Sequence, residues 1–156
     1  MKNIIKQLTE VYLSPAEYWH TRKLSSDESD RYHQIMIERG NIIWSEDKEG
    51  FLLGYCEFFR INFEQLGRLI CHAPFYNLDE NTTDGNICLV HNGWIRPEYR
   101  FSFVIEDIIK EFFEKNKHCD YFVESALRKK TQPIKVFKKE DLHNRILKDG
   151  FINLGA

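Results

Sequence analysis

No run of apolar residues approaches the roughly 18 that a membrane-spanning helix needs, which excludes membrane insertion. Cysteine is scarce and unpaired in sequence: residues 56, 71, 88 and 119 form no CxxC motif. The opening MKNIIKQLTEVYLS lacks a long apolar core followed by a small-residue cleavage site. A cytoplasmic protein with reduced thiols is therefore expected. Neither sign of charge dominates, since 22 Lys+Arg stand against 24 Asp+Glu, so no global field drives the molecule onto nucleic acid or an acidic membrane. What the chain does have is apolar and aromatic mass. With 156 residues, 42% hydrophobic and 14% aromatic, it has enough to bury one core, which excludes a disordered chain and makes 1–156 a single domain.

Periodicity divides that domain into three parts. Residues 1–40 read as helices: Ile5, Leu8, Val11 and Tyr12 recur at helical spacing, Ser14-Pro15 opens a second helix, and Tyr32, Ile35 and Met36 support a third that stops at Gly40. Residues 41–100 hold a hairpin, a loop and a central strand. The strands 41–45 and 51–61 are rich in β-branched and aromatic residues, with SEDKEG as the turn between them. Residues 62–85 read as a loop resembling an insertion, and 87–90 as a buried strand that Asn92-Gly93 and Pro97 interrupt. Residues 101–156 read as helix, strand, helix, strand. Val104, Ile105, Ile108, Ile109, Phe112 and Phe113 form the clearest apolar face, 119–125 is a strand, 133–148 a basic helix and 151–154 a last short strand. A hairpin combined with a strand-helix-strand crossover needs a mixed sheet, so the class is α+β, or α/β with a mixed sheet.

Two stretches carry a resemblance. ICLVHNGWIRPEYRFSFVIEDIIKEFFEKN, with Ile95, Pro97, Glu98, Tyr99 and Arg100, resembles the strand, loop and long helix of the GNAT superfamily of N-acetyltransferases. LHNRILKDGFINLG is similar to that family's later helix, with Gly150 and Phe151 at its Gly-Phe end, and SEDKEGFLLGYCEFFRI with Gly54 looks like its second and third strands. The resemblance spans roughly residues 40–155 without 62–85. It implies an acyl-CoA N-acyltransferase-like fold with N-terminal helices and a central mixed β-sheet. It also implies transfer of an acyl group, acetyl first, from a thioester to an amine. Residues 95–103 would lie at the coenzyme, with Ile95, Arg96, Arg100, Phe101, Ser102 and Phe103 as its contacts. Where the family's phosphate cradle is glycine-rich, this chain has Phe101, Phe103 and Ile105, and Ile146 stands where a general-acid tyrosine is often found. A fainter resemblance, to the RTX toxin-activating lysine acyltransferases, rests on Trp94, Ile95 and Pro97 with Tyr55-Cys56 and His20 upstream. It implies an acyl-carrier-protein donor. Asn92 and Gly93 replace the aspartate expected before Trp94.

The candidate catalytic residues are His91, Glu57 and His20. His91 closes the strand before the Ile-x-Pro run, where a neutral imidazole can take a proton from an attacking amine; its bland alternative is a partly buried histidine bonded to a backbone carbonyl. Glu57 is a second base candidate, expected on the solvated face of its strand as a lone carboxylate. His20 serves only if the toxin-activating resemblance holds. Cys71-His72 and His118-Cys119 lack metal-ligand spacing, so no metal is expected. Residues 126–148 carry +6 and leave −8 elsewhere, a cluster suited to coenzyme phosphates, an acidic partner protein or a solvated helix face. The expected acceptor is an amine, either of a small molecule or of a protein lysine. The competing expectation is a catalytically inactive fold used for binding or assembly, as in a phage or mobile element, with two phenylalanines packed where the cradle would be. The unblunted strand at 151–154 predicts a homodimer.

Overall fold

In the computed structural model the described residues are 3–14, 24–72, 85–124, 135–142 and 144. They form helices α1 (Ile4–Leu13), α2 (Ser26–Glu38), α3 (Phe63–His72) and α4 (Phe103–Lys115), and strands β1 (Ile42–Glu46), β2 (Leu52–Ile61), β3 (Ile87–Ile95), β4 (Tyr121–Glu124) and β5 (Lys135–Lys138). A 3₁₀ turn, Pro97–Tyr99, joins β3 to α4. The sheet order follows the chain order from β1 to β5, antiparallel throughout except for the parallel pair β3–β4. This is the expected mixed α+β class, a five-stranded mixed sheet flanked by helices, and it is consistent with the acyltransferase-like fold that the resemblance implies. No helix among the described residues is long and apolar enough to cross a membrane.

Local chemistry sets the element boundaries. Asn3 caps α1, its side chain accepting from the Ile5 and Lys6 amides, and Ser25 with Glu28 closes a capping box on α2. α2 ends where Gly40 takes φ +68°, a left-handed conformation that costs glycine nothing. Asp47 Oδ1 accepts from the Glu49 and Phe51 amides and folds the β1–β2 turn. Gln7 of α1 then grips that turn, donating to Gly50 O and accepting from the Leu52 amide, both at 2.8 Å.

Helices cover both faces of the sheet. On one face Val104, Ile108 and Phe112 of α4 pack against Ile43, Leu53, Cys56, Phe58, Cys88 and Val90. On the other, Leu8, Tyr32, Met36 and Leu69 from α1, α2 and α3 meet Ile42, Leu52, Tyr55, Phe59 and Leu89. Double coverage explains why β2 is buried almost continuously rather than in alternation.

Three expectations are corrected. Residues 63–72 are helical: Asn62 Oδ1 accepts from the Gln65 amide while Gln65 Oε1 accepts from the Asn62 amide, a reciprocal cap that starts α3. The strand beginning at Ile87 continues through Asn92-Gly93 to Ile95, because the irregularity is absorbed as a bulge. Within the expected basic helix, residues 135–138 form β5, whose alternating Lys-Val-Phe-Lys pairs antiparallel with β4; helical turns begin only at residue 139. The second helix expected from Ser14-Pro15 and the strand at 151–154, and with it the dimer interface, lie outside the described residues. So does most of the basic segment.

Gly85 is required by space. A Cβ built there would stand 2.1 Å from Ile61 O, where the Gly85 amide donates to Arg60 O at 3.1 Å. Gly85→Ala must push the two backbones apart, and a loss of about 1–3 kcal/mol in a urea titration is the expected result. A neutral alanine would show that this crossing is loose.

Candidate functional site

β2 and β3 do not match residue for residue. Glu57 pairs with Asn92 and Phe58 with Val90, so His91 is an extra residue, a β-bulge in the middle of the sheet. The bulge turns two consecutive side chains to the face under α1 and α2. The His91 ring stands edge-on to Phe59 at 5.1 Å, and Asn92 Nδ2 donates to the Tyr55 hydroxyl at 2.8 Å. The described part of the parallel β3–β4 register runs from Ile87↔Tyr121 to Val90↔Glu124.

The side chains gathered there form a buried polar row. Glu57 is 2% exposed and Asn92 3%, which corrects the expected solvated carboxylate. The Tyr32 hydroxyl, reaching down from α2, donates to Glu57 Oε1. Burial raises the Glu57 carboxyl to about 7, while the side chains of Tyr32 and Asn92 oppose the rise. His91 is half-buried, and burial lowers its imidazole to about 4, so it is a neutral acceptor at physiological pH. The Tyr55 and Trp94 rings, 6.3 Å apart, continue the row toward the end of β3.

Next to the row lies a second buried histidine. His33 of α2 sits edge-on to Tyr32 at 5.4 Å, and its Nδ1 lies 3.3 Å from Ser29 Oγ and 3.5 Å from Thr9 Oγ1. Thr9 in turn donates to Asp30 at 2.6 Å, and Asp30 pairs with Lys6. Burial lowers His33 to about 4, against the opposing pull of a Ser29 backbone hydrogen bond and the Asp30 charge.

His91 and Glu57 are thus brought together, whereas His20 lies outside the described residues. Of the residues expected at a coenzyme, Ile95, Arg96, Arg100 and Ser102 are used internally. Ile95 is core. Arg96 donates from Nε and Nη2 to Leu52 O, at 3.0 and 2.7 Å, with its guanidinium 5.8 Å from the Trp94 ring. Arg100 Nε donates to Ile95 O at 3.2 Å. Ser102 caps α4, accepting from the Val104 amide and donating to Tyr99 O. Phe101 and Phe103, expected at the coenzyme or, on the competing expectation, packed, are 99% and 60% exposed.

Tyr32, Asn92 and His33 escaped the sequence analysis. The readable signal for Asn92 was its place beside His91 in a strand, since a bulge aims both side chains one way. Tyr32 and His33 gave no signal except helical periodicity. Among the described residues no group of three or more His, Cys, Asp or Glu side chains is placed to hold a metal ion. Cys56, Cys88 and Cys119 are free thiols in the core. No known protein-family model matches the chain, and no curated protein matches its sequence.

Proposed function

We propose that the protein is a GNAT-like N-acyltransferase that passes an acyl group from a thioester, of coenzyme A or of an acyl carrier protein, to an amine. The observation that carries this reading is the bulge at His91, immediately ahead of the Ile-x-Pro-Glu-Tyr-Arg run. The amine nitrogen attacks the thioester carbonyl carbon beside this bulge. Backbone N–H groups of β3 polarise the carbonyl, the neutral His91 ring accepts the proton that the nitrogen sheds, and the C–S bond then breaks, the donor leaving as the thiol with that proton. Catalysis then rests mainly on positioning, because Arg96, Arg100 and Ser102 are already bonded within the protein and offer no ready phosphate cradle. Calorimetric titration with acetyl-CoA and a thioester-consumption assay on amine acceptors test the proposal. His91→Ala is expected to lower turnover on the order of 100-fold; silence of the wild type in both assays removes coenzyme A as donor.

The exposed Phe101 and Phe103 favour a second reading, a catalytically silent module that binds a macromolecule through this corner. A stable partner lost on Phe101→Ser, with no thioester turnover, supports that reading.

A further inference from the structure

α3 carries more apolar surface than its seat on the sheet uses. At about 100° per residue, Leu69, Leu66, Ile70 and Phe63 spread over roughly 120° of its circumference. Leu69 belongs to the core and Leu66 packs against it, whereas Ile70 and Phe63 stand 56% and 67% exposed. Gly67 lies between these two on the helix surface, and a Cβ built there would meet nothing within 4 Å. A glycine inside a helix weakens it, and no neighbour within the chain requires this one. What a bare point on a helix does permit is the close approach of another backbone. Phe63, Gly67 and Ile70 thus form an exposed stripe along two turns of α3.

The flank of the stripe shows what fits it. Glu64 and Arg68, both exposed, stand one turn apart, with Arg68 Nη2 donating to Glu64 Oε1 at 2.5 Å. The apolar pair Phe63 and Ile70 and the charged pair Glu64 and Arg68 are both centred on Leu66-Gly67. A two-fold axis at that point, perpendicular to the helix, lays a second α3 antiparallel to the first. Phe63 then faces Ile70 of the partner subunit, and Glu64 faces Arg68 of the partner subunit. An isologous contact demands this self-complementarity, and a foreign protein or a lipid surface does not. We infer that α3 pairs with the α3 of a second copy of this chain, antiparallel about a two-fold axis beside Gly67, with the apolar stripes in contact and the charges of Glu64 and Arg68 bridging the subunits along the flank. The interface is independent of the strand expected at 151–154 and of the acyl-transfer reading. One short helix from each subunit falls below the standard size of a stable complex, so the dimer is weak and reversible.

Sedimentation velocity of the full chain, from micromolar to millimolar concentration, is expected to show a monomer–dimer equilibrium that Phe63→Ser and Ile70→Ser each weaken about tenfold. Gly67→Gln, for which the monomer has room, is expected to strengthen the helix yet weaken the dimer. A Gln variant that dimerises as well as the wild type overturns the close approach at Gly67. Charge reversal decides the geometry. Glu64→Arg leaves two cations on the flank and Arg68→Glu two carboxylates, so each variant alone dimerises more weakly than the wild type. Mixed in equal amounts they associate more strongly than either alone, because the cations of one copy meet the carboxylates of the other. Repair within a single helix cannot produce that result. A mixture no better than its components, with both variants folded by circular dichroism, overturns the antiparallel pairing. A wild type that stays monomeric throughout overturns the inference outright, and its binding to phosphatidylcholine vesicles, lost on Phe63→Ser, would then assign the stripe to a lipid surface.

Discussion

Phe112→Ala is expected to lower the unfolding free energy by about 3–5 kcal/mol, the largest loss of any single truncation proposed for this protein. Phe112 is fully buried, and its ring meets Phe58 of β2 at 5.4 Å, Phe113 at 5.2 Å and Phe122 of β4 at 5.7 Å. It therefore joins α4 to strands on both sides of β3, and neither rigid aromatic wall can follow the shrinking side chain into the gap. Urea denaturation with an unchanged slope is the measurement. A loss below about 1.5 kcal/mol would mean that the core closes over the vacancy.

Replacing an acid should make this protein more sensitive to acid. His33 has a folded value lowered to about 4 from an ordinary 6.5. Between those pH values the unfolded chain binds a proton that the folded chain refuses, so stability falls as pH drops, by about 3 kcal/mol in total. His91 acts in the same direction, with less weight because it is only half-buried. Glu57 acts oppositely. Its folded value is raised from 4.5 to about 7, so its contribution is fully present below 4.5 and is lost as pH rises to 7, again about 3 kcal/mol. In the wild type the two trends largely cancel between pH 4.5 and 6.5. Glu57→Gln removes one of them: the variant matches the wild type near pH 4, exceeds it by about 3 kcal/mol at pH 8, and falls away steeply on acidification. Denaturant titrations at pH 4, 6 and 8 measure this, and a variant less stable than the wild type at pH 8 would refute it.

Elements whose burial follows one simple period were legible in the sequence. The apolar face of α4 and the polar turn between β1 and β2 needed only local spacing. α3 was hidden because the polar run that follows it looked like one long insertion, although Asn62 and Gln65 spell a cap three residues apart. β5 was hidden because charge outweighed alternation: lysines 135 and 138 flank Val136 and Phe137, and a cationic run was read as a helix face. His91 and Glu57 are both legible as candidates, but the burial of Glu57 is not. A lone carboxylate in an alternating strand points to solvent, but helices cover the sheet on both sides and bury it. Tyr32 could not be found at all, since its hydroxyl meets a strand that begins 20 residues later in the chain.

The grip of Gln7 on the β1–β2 turn places a side-chain amide where a backbone partner would otherwise sit. The Leu52 amide proton is thus protected by α1 rather than by a neighbouring strand. Its exchange with deuterium follows the undocking of the first helix, while amides in the middle of β2 and β3 exchange only when the sheet itself opens. The Leu52 amide proton thereby separates the detachment of α1 from the loss of the whole fold.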